Sequence, residues 1–218
     1  MKERPILFST PMVRAILEGH KTQTRREIKH FGNLYHIDKL LCDWYCSGDP
    51  YIQDGQWFWE LQTDVDDSKH FPLKCPYGQP GDILWVRETW AHNPWSYLGG
   101  CKYVYRSDYE SFPKCEIGTT YPAIDKWRPS IFMPKEACRL FLEVTDVRAE
   151  RLQDISEKDA IAEGIEKNKN EVYKDYLSGE FYRHSKQSFL TLWTSINGKG
   201  SWESNPFVWV IAFKRIDK

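Results

Sequence analysis

An excess of one charge is missing from this chain: 30 Lys and Arg stand against 31 Asp and Glu, a net charge of −1. Proteins that track long nucleic acid carry a strongly basic domain, so any nucleic-acid contact here is local. A nucleoside-sized ligand needs no such field. Near the start there is also no long apolar run. Met1-Lys2-Glu3-Arg4-Pro5 leads into three apolar residues, Ile6 to Phe8, too few for a signal peptide or a membrane span. The expectation is a cytoplasmic protein with reduced thiols and no membrane partner. The six cysteines (Cys42, Cys46, Cys75, Cys101, Cys115, Cys138) are scattered, and no Cys-x-x-Cys pair occurs. Cys42 and Cys46, with Cys75 and His36 or His70, come nearest to a zinc set, but the six histidines show no His-x-x-x-His spacing. Neither a metal nor a cofactor is expected. Repeats and clean linkers are lacking too. The 218 residues therefore read as one domain, 1–218, with irregular insertions at about 30–80 and 91–127.

What the chain does have is aromatics: Phe, Trp and Tyr make up 15% of it, and ten are Trp. That number can line a pocket, stack on bases or fill a core. Its most informative stretch is Gly19-His20-Lys21-Thr22-Gln23-Thr24-Arg25-Arg26. The pattern Gly-x-Lys-x-x-Thr-x-Arg sets an amine, a hydroxyl and two guanidinium groups around one sharp turn. Such a cluster activates a nucleophile, or holds a phosphate or a nucleobase. A solvated basic loop fits the same string, as does capping of helix-end carbonyls.

Residues 5–9 read as a first strand. Thr10 offers an N-cap and Pro11 the first helical position. Met12, Ala15 and Ile16 form a helical stripe, and Gly19 supplies the left-handed stop, which delivers Lys21 just past the helix end. The dense turn chemistry of 75–82 opens onto a strand at 83–88 that ends in the charge pair Arg87-Glu88. Residues 140–147 form another strand. Ser156 with Asp159 resembles a capping box, starting a helix that stops at Gly164. A further helix spans about 185–196 with Phe189, Leu190, Trp193 and Ile196 on one face. The apolar run 207–213 has the composition of a central strand. Strands broken by two or three short helices give an α+β fold around a compact barrel or curved sheet.

Taken together, these motifs resemble the ASCH-domain family of the PUA-like β-barrel superfamily. The resemblance rests on Gly19, Lys21, Thr24 and Arg26, on the strand Gly81 to Glu88, and on the segment Ala160-Ile161-Ala162-Glu163-Gly164-Ile165. The stretches 127–134 and 205–209 resemble the larger phage and prophage members. The family mixes enzymes with RNA-binding modules. Its small bacterial enzymes remove the acyl group from N4-acetylcytidine with a Lys, a Thr and a Glu. By motif, these roles fall on Lys21, Thr24 and Glu163, with Glu157, Glu166 and Glu88 as substitutes for the last. The resemblance thus implies a metal-independent amidohydrolase with a nucleoside-like substrate. Gly19, Arg25, Arg26, Glu88 and Trp85 are the candidate substrate-binding residues. An RNA-binding module without turnover is the alternative, and a nuclease the third reading. Trp85 and Trp209, in apolar strands, are expected to be core rather than stacking platforms.

The residues make chemical sense of that scheme. A threonine hydroxyl needs a base to become a nucleophile, and Lys21 can act as one only as a neutral amine. Burial and the neighbouring Arg25 and Arg26 favour the neutral form, while the helix C-terminus favours the ammonium.

Overall fold

The structure, a computed structural model, describes residues 1–28, 45–46, 51–53, 56–62, 69–93, 101–109 and 126–217. The fold is mixed α+β. Strands are β1 (Glu3–Leu7), β2 (Gln23–Glu27), β3 (Tyr45–Cys46), β4 (Tyr51–Gln53), β5 (Gln56–Gln62), β6 (Lys69–Leu73), β7 (Ile83–Arg87), β8 (Trp90–His92), β9 (Tyr103–Tyr105), β10 (Phe141–Arg151), β11 (Tyr173–Lys174), β12 (Phe181–Tyr182) and β13 (Phe207–Ile216). Helices are α1 (Thr10–Leu17), α2 (Glu157–Ala162) and α3 (Ser185–Asn197).

The main sheet has five strands in the order β1-β7-β10-β13-β2. β1 runs parallel to β7, and the other pairs are antiparallel. Strand β13 lies next to the edge strand β2 yet is buried on both faces: Val208, Trp209, Val210 and Ile211 are each at most 1% exposed. A strand covered on both sides must be apolar at every position, which is why this segment lacks alternation. Its ladder with β10 shifts register between Val144 and Asp146, a bulge that bends the longest strand pair. Among the described residues no pairing closes the sheet into a barrel.

Local signals explain the helices. Ser9, rather than Thr10, is the N-cap of α1, so Thr10 is its first residue and Pro11 sits one position later than expected, still within the first turn. Met12, Val13, Ala15 and Ile16 face the core. Gly19 then takes φ +79° and turns the chain back. In α2 the Ser156 hydroxyl accepts from the Asp159 amide at 3.0 Å, the expected cap. α2 packs against α3.

The irregular insertion expected at 30–80 contains regular structure where it is described. Strands β3, β5 and β4 pair antiparallel, and β6 joins β5. In the second insertion β8 pairs with β9, while 94–100 and 110–125 lie outside the described residues. So do the side chains of His36, Cys42, Cys46 and His70 from the zinc candidate, and Cys115. Cys75, Cys101 and Cys138 are free thiols. Among the described residues no three His, Cys, Asp or Glu side chains gather as metal ligands. No described helix is long and apolar enough to cross a membrane.

Candidate active site

The site is built where three chain segments meet. α1 ends at Leu17, the chain turns at Gly19, and the His20 and Lys21 amides both donate to the Ala15 carbonyl, at 2.8 and 3.0 Å. The next residue is tied on both sides: the Thr22 amide donates to Ala162 at the end of α2, and its carbonyl accepts from Phe213 on β13. Lys21 itself bridges to Glu163, the residue that caps α2. Gly164, at φ +80°, makes this approach feasible. A Cβ there would lie 2.7 Å from Lys21 Cβ and 3.0 Å from Ala15 Cβ. Only glycine suits both that dihedral and that space.

β2 then sends its side chains to opposite faces, as strand alternation requires. Thr24 and Arg26 point one way and Arg25 the other. A cavity of about 430 Å³ lies at this edge and takes lining from both sets. Lys21, Thr24, Arg25, Arg26 and Glu163 all contribute to its wall. Phe8, Tyr77, Phe189, Trp193 and Trp209 supply an aromatic surface. Its volume falls within the range of small-molecule clefts.

Lys21, Thr24, Arg25 and Glu163 are each no more than 4% exposed. Lys21 Nζ donates to Glu163 Oε2 at 2.9 Å and to the Glu163 carbonyl at 2.7 Å. Burial is the largest influence on this amine and pushes its pKa down from 10.5. Glu163 opposes that, and the charges of Arg26 and Arg25 reinforce it; the net shift is downward. Thr24 is held by the β13 ladder opposite Ile211. Its hydroxyl makes no hydrogen bond with the described residues, so it is available to a ligand in the cavity.

The two arginines do different work. Every nitrogen of Arg25 is engaged with a carboxylate: Nη1 donates to Glu163 Oε1 at 3.0 Å, Nε to Glu150 at 3.2 Å, and Nη2 to Glu150 and to Asp159 at 3.5 Å. Its side chain is fully buried and lies over the Phe189 ring. Although it borders the cavity, four of its five N–H groups are spent within the protein. Arg26 is half-buried, stacked between Phe8 and Tyr77 at 5.4 and 6.0 Å, with Nη2 donating to the Leu7 carbonyl.

Three candidates fall elsewhere. Gly19 is exposed and shapes the turn without lining the cavity. Trp85 is half-buried on β7, stacked by Arg87 at 5.5 Å, and does not line it. Glu88 is 1% exposed in a separate cluster, where Arg139 donates to both its oxygens at 2.9 and 3.2 Å and Ser107 donates to Oε2. A carboxylate at a strand end looked available, but Arg139 consumes it. Of the substitutes for Glu163, Glu157 binds Ser185 and Glu166 binds Lys174. Trp209 is both core and wall, at 1% exposure and yet along the cavity.

The chain matches no protein-family model, no curated protein and no solved structure. Sequence reasoning overlooked Phe8, Tyr77 and the acidic set Glu150 and Asp159 behind Arg25. The helical stripe of α3 was visible as an apolar face; which of its rings bordered a cavity was not.

Proposed function

We propose that this chain is a metal-independent amidohydrolase that removes the acyl group from N4-acylated cytosine nucleosides, on a fold of the ASCH, PUA-like kind. One observation carries the reading. Lys21, Thr24 and Glu163, the last 142 residues from the first, line a single ligand-sized cavity with aromatic walls. The aromatic surface suits a planar base. The near-zero net charge suits a small ligand better than a polyanion.

The chemistry follows from the burial of Lys21. In its neutral form the amine accepts the proton of the Thr24 hydroxyl. The oxygen attacks the acyl carbonyl, the C=O π pair moves onto oxygen, and a tetrahedral oxyanion forms. Arg26 or a backbone amide of the turn stabilises that charge. Collapse breaks the bond to N4, which takes up the proton held by Lys21 or Glu163 and leaves as the amino group of cytosine. Water, deprotonated by the same base, hydrolyses the Thr24 ester to the carboxylic acid. In the shorter variant Lys21 deprotonates water, which attacks directly. Either way one water is consumed, and a cytosine nucleoside and an acid are released.

The test is chromatographic. Metal-stripped protein incubated with N4-acetylcytidine is expected to yield cytidine, and Lys21→Ala is expected to lose turnover while remaining folded. Thr24→Ala separates the variants, since direct attack by water survives it. Full activity in Lys21→Ala would remove the scheme. No turnover by folded wild type, together with salt-dependent RNA affinity, would replace the enzyme with a binding module.

A further inference from the structure

Arg25 sits in the middle of an ion network that the proposed reaction does not by itself require. On β2 it faces Glu163 on one side and Glu150 and Asp159 on the other. Arg148, paired with Val210 in the same ladder row as Arg25, donates to Glu150 at 3.0 Å and to Asp159 at 3.2 Å. The two carboxylates behind Arg25 are thus braced by a second guanidinium. Glu163 is divided between two cations: Oε1 belongs to Arg25 and Oε2 to Lys21.

We infer that Arg25 is a positioning residue, which clamps Oε1 of Glu163 from behind, braced by Glu150 and Asp159, and so fixes Oε2 against Lys21. This deepens the amidohydrolase reading and rests on it. Its basis is the division of the Glu163 carboxylate. Left with Lys21 alone, Glu163 would give the ammonium both oxygens and hold it charged. Sharing the carboxylate with a fully buried guanidinium weakens that hold. The charged groups bearing on Lys21 are Arg25 and Arg26 from β2 and Glu163 from the end of α2. Behind Arg25 stand Arg148 and Glu150 on β10 and Asp159 on α2. The role needs no contact to substrate, since every nitrogen of Arg25 already holds a carboxylate.

The test reads the amine directly, by following the 13Cε resonance of Lys21 against pH in the full-length protein. Arg25→Gln removes the competing cation and is expected to raise the Lys21 midpoint. Glu150→Gln keeps an acceptor for Arg25 but removes a negative charge, and is expected to lower the midpoint. In turnover, Arg25→Gln is expected to cut kcat on the order of 10²-fold with little change in KM. A folded Arg25→Gln protein whose Lys21 midpoint stays put overturns the inference. If that variant does not fold, an unmoved or raised midpoint in Glu150→Gln does the same. A higher KM with kcat retained would return Arg25 to substrate binding and also overturn it. Midpoints that move as expected in a protein without turnover on N4-acetylcytidine would leave the clamp standing and remove the amidohydrolase reading.

Discussion

Gly164→Ala is the perturbation that most directly tests how the site is assembled. Gly164 has φ +80°, and its added Cβ would meet Lys21 Cβ at 2.7 Å and Ala15 Cβ at 3.0 Å. The left-handed backbone alone costs about 1–2 kcal/mol for a residue with a Cβ. The contacts cost about 1–3 kcal/mol more, since neither neighbouring atom is the end of a flexible side chain. Together these give about 2–5 kcal/mol, and in a domain of this size each kcal/mol lowers Tm by about 2–4 °C. Gly19→Ala is the internal control. Gly19 has nearly the same dihedral, φ +79°, but nothing lies within 4 Å of its added Cβ. It is expected to cost only the backbone term. Urea unfolding of the two variants, with calorimetry alongside, isolates the packing contribution as their difference. Gly164→Ala is also expected to lose turnover, because relief of the clash moves Lys21. Equal destabilisation by the two alanines would refute the close packing of Lys21 on Gly164.

Three further outcomes follow from the charges. Turnover is expected to rise with pH through a midpoint below the ordinary lysine value of 10.5, because burial lowers the Lys21 pKa; a limb at or above that value would contradict it. The same shift has a sign for stability: a lowered folded pKa contributes stability present above about 10.4 and lost as the pH falls through the folded value. Lys21→Met is therefore expected to gain on wild type in urea unfolding as the pH is lowered across that window. Asp175, whose carboxylate accepts hydrogen bonds from Ser178, the Leu177 amide and Tyr182, has its pKa brought down to about 2. Its contribution, roughly 1 kcal/mol after allowance for solvent screening, is present above about pH 3.9 and lost as the pH falls through about 2. The deficit of Asp175→Asn is expected to fade over that range. Glu88→Ala is expected to cost about 2 kcal/mol, because Arg139 loses its bonds to Glu88 but keeps Asp108, with KM unchanged; a raised KM would restore Glu88 to substrate binding.

Elements whose cause is local were legible in the sequence. The Ser156 cap needs only Asp159, three residues away, and Gly19 needs only the end of α1. The unbroken apolar run of β13 announced a strand covered on both faces. What could not be read were relations across the chain: the parallel pairing of β1 with β7, and the meeting of Lys21 with Glu163. Arg25 and Arg26 look equivalent as neighbours in a basic string. Their roles separate once β2 is recognised as a strand, because alternation turns one toward the acidic residues and leaves the other between Phe8 and Tyr77. Glu88 misled for the converse reason. Its partner Arg139 is 51 residues away, and no spacing announces it.

The bridge between Lys21 and Glu163 also bears on when the protein becomes functional during synthesis. A chain still short of residue 163 already contains the basic turn, the Thr24 hydroxyl and both arginines, but not the carboxylate that Lys21 and Arg25 share. The pairing of Lys21 with Glu163 closes a loop of 142 residues, and the ladder that sets Thr24 opposite Ile211 closes a longer one. The amine's carboxylate partner is therefore a late-made part of the chain. A ribosome-bound chain that ends before Glu163 holds Lys21 without that carboxylate partner.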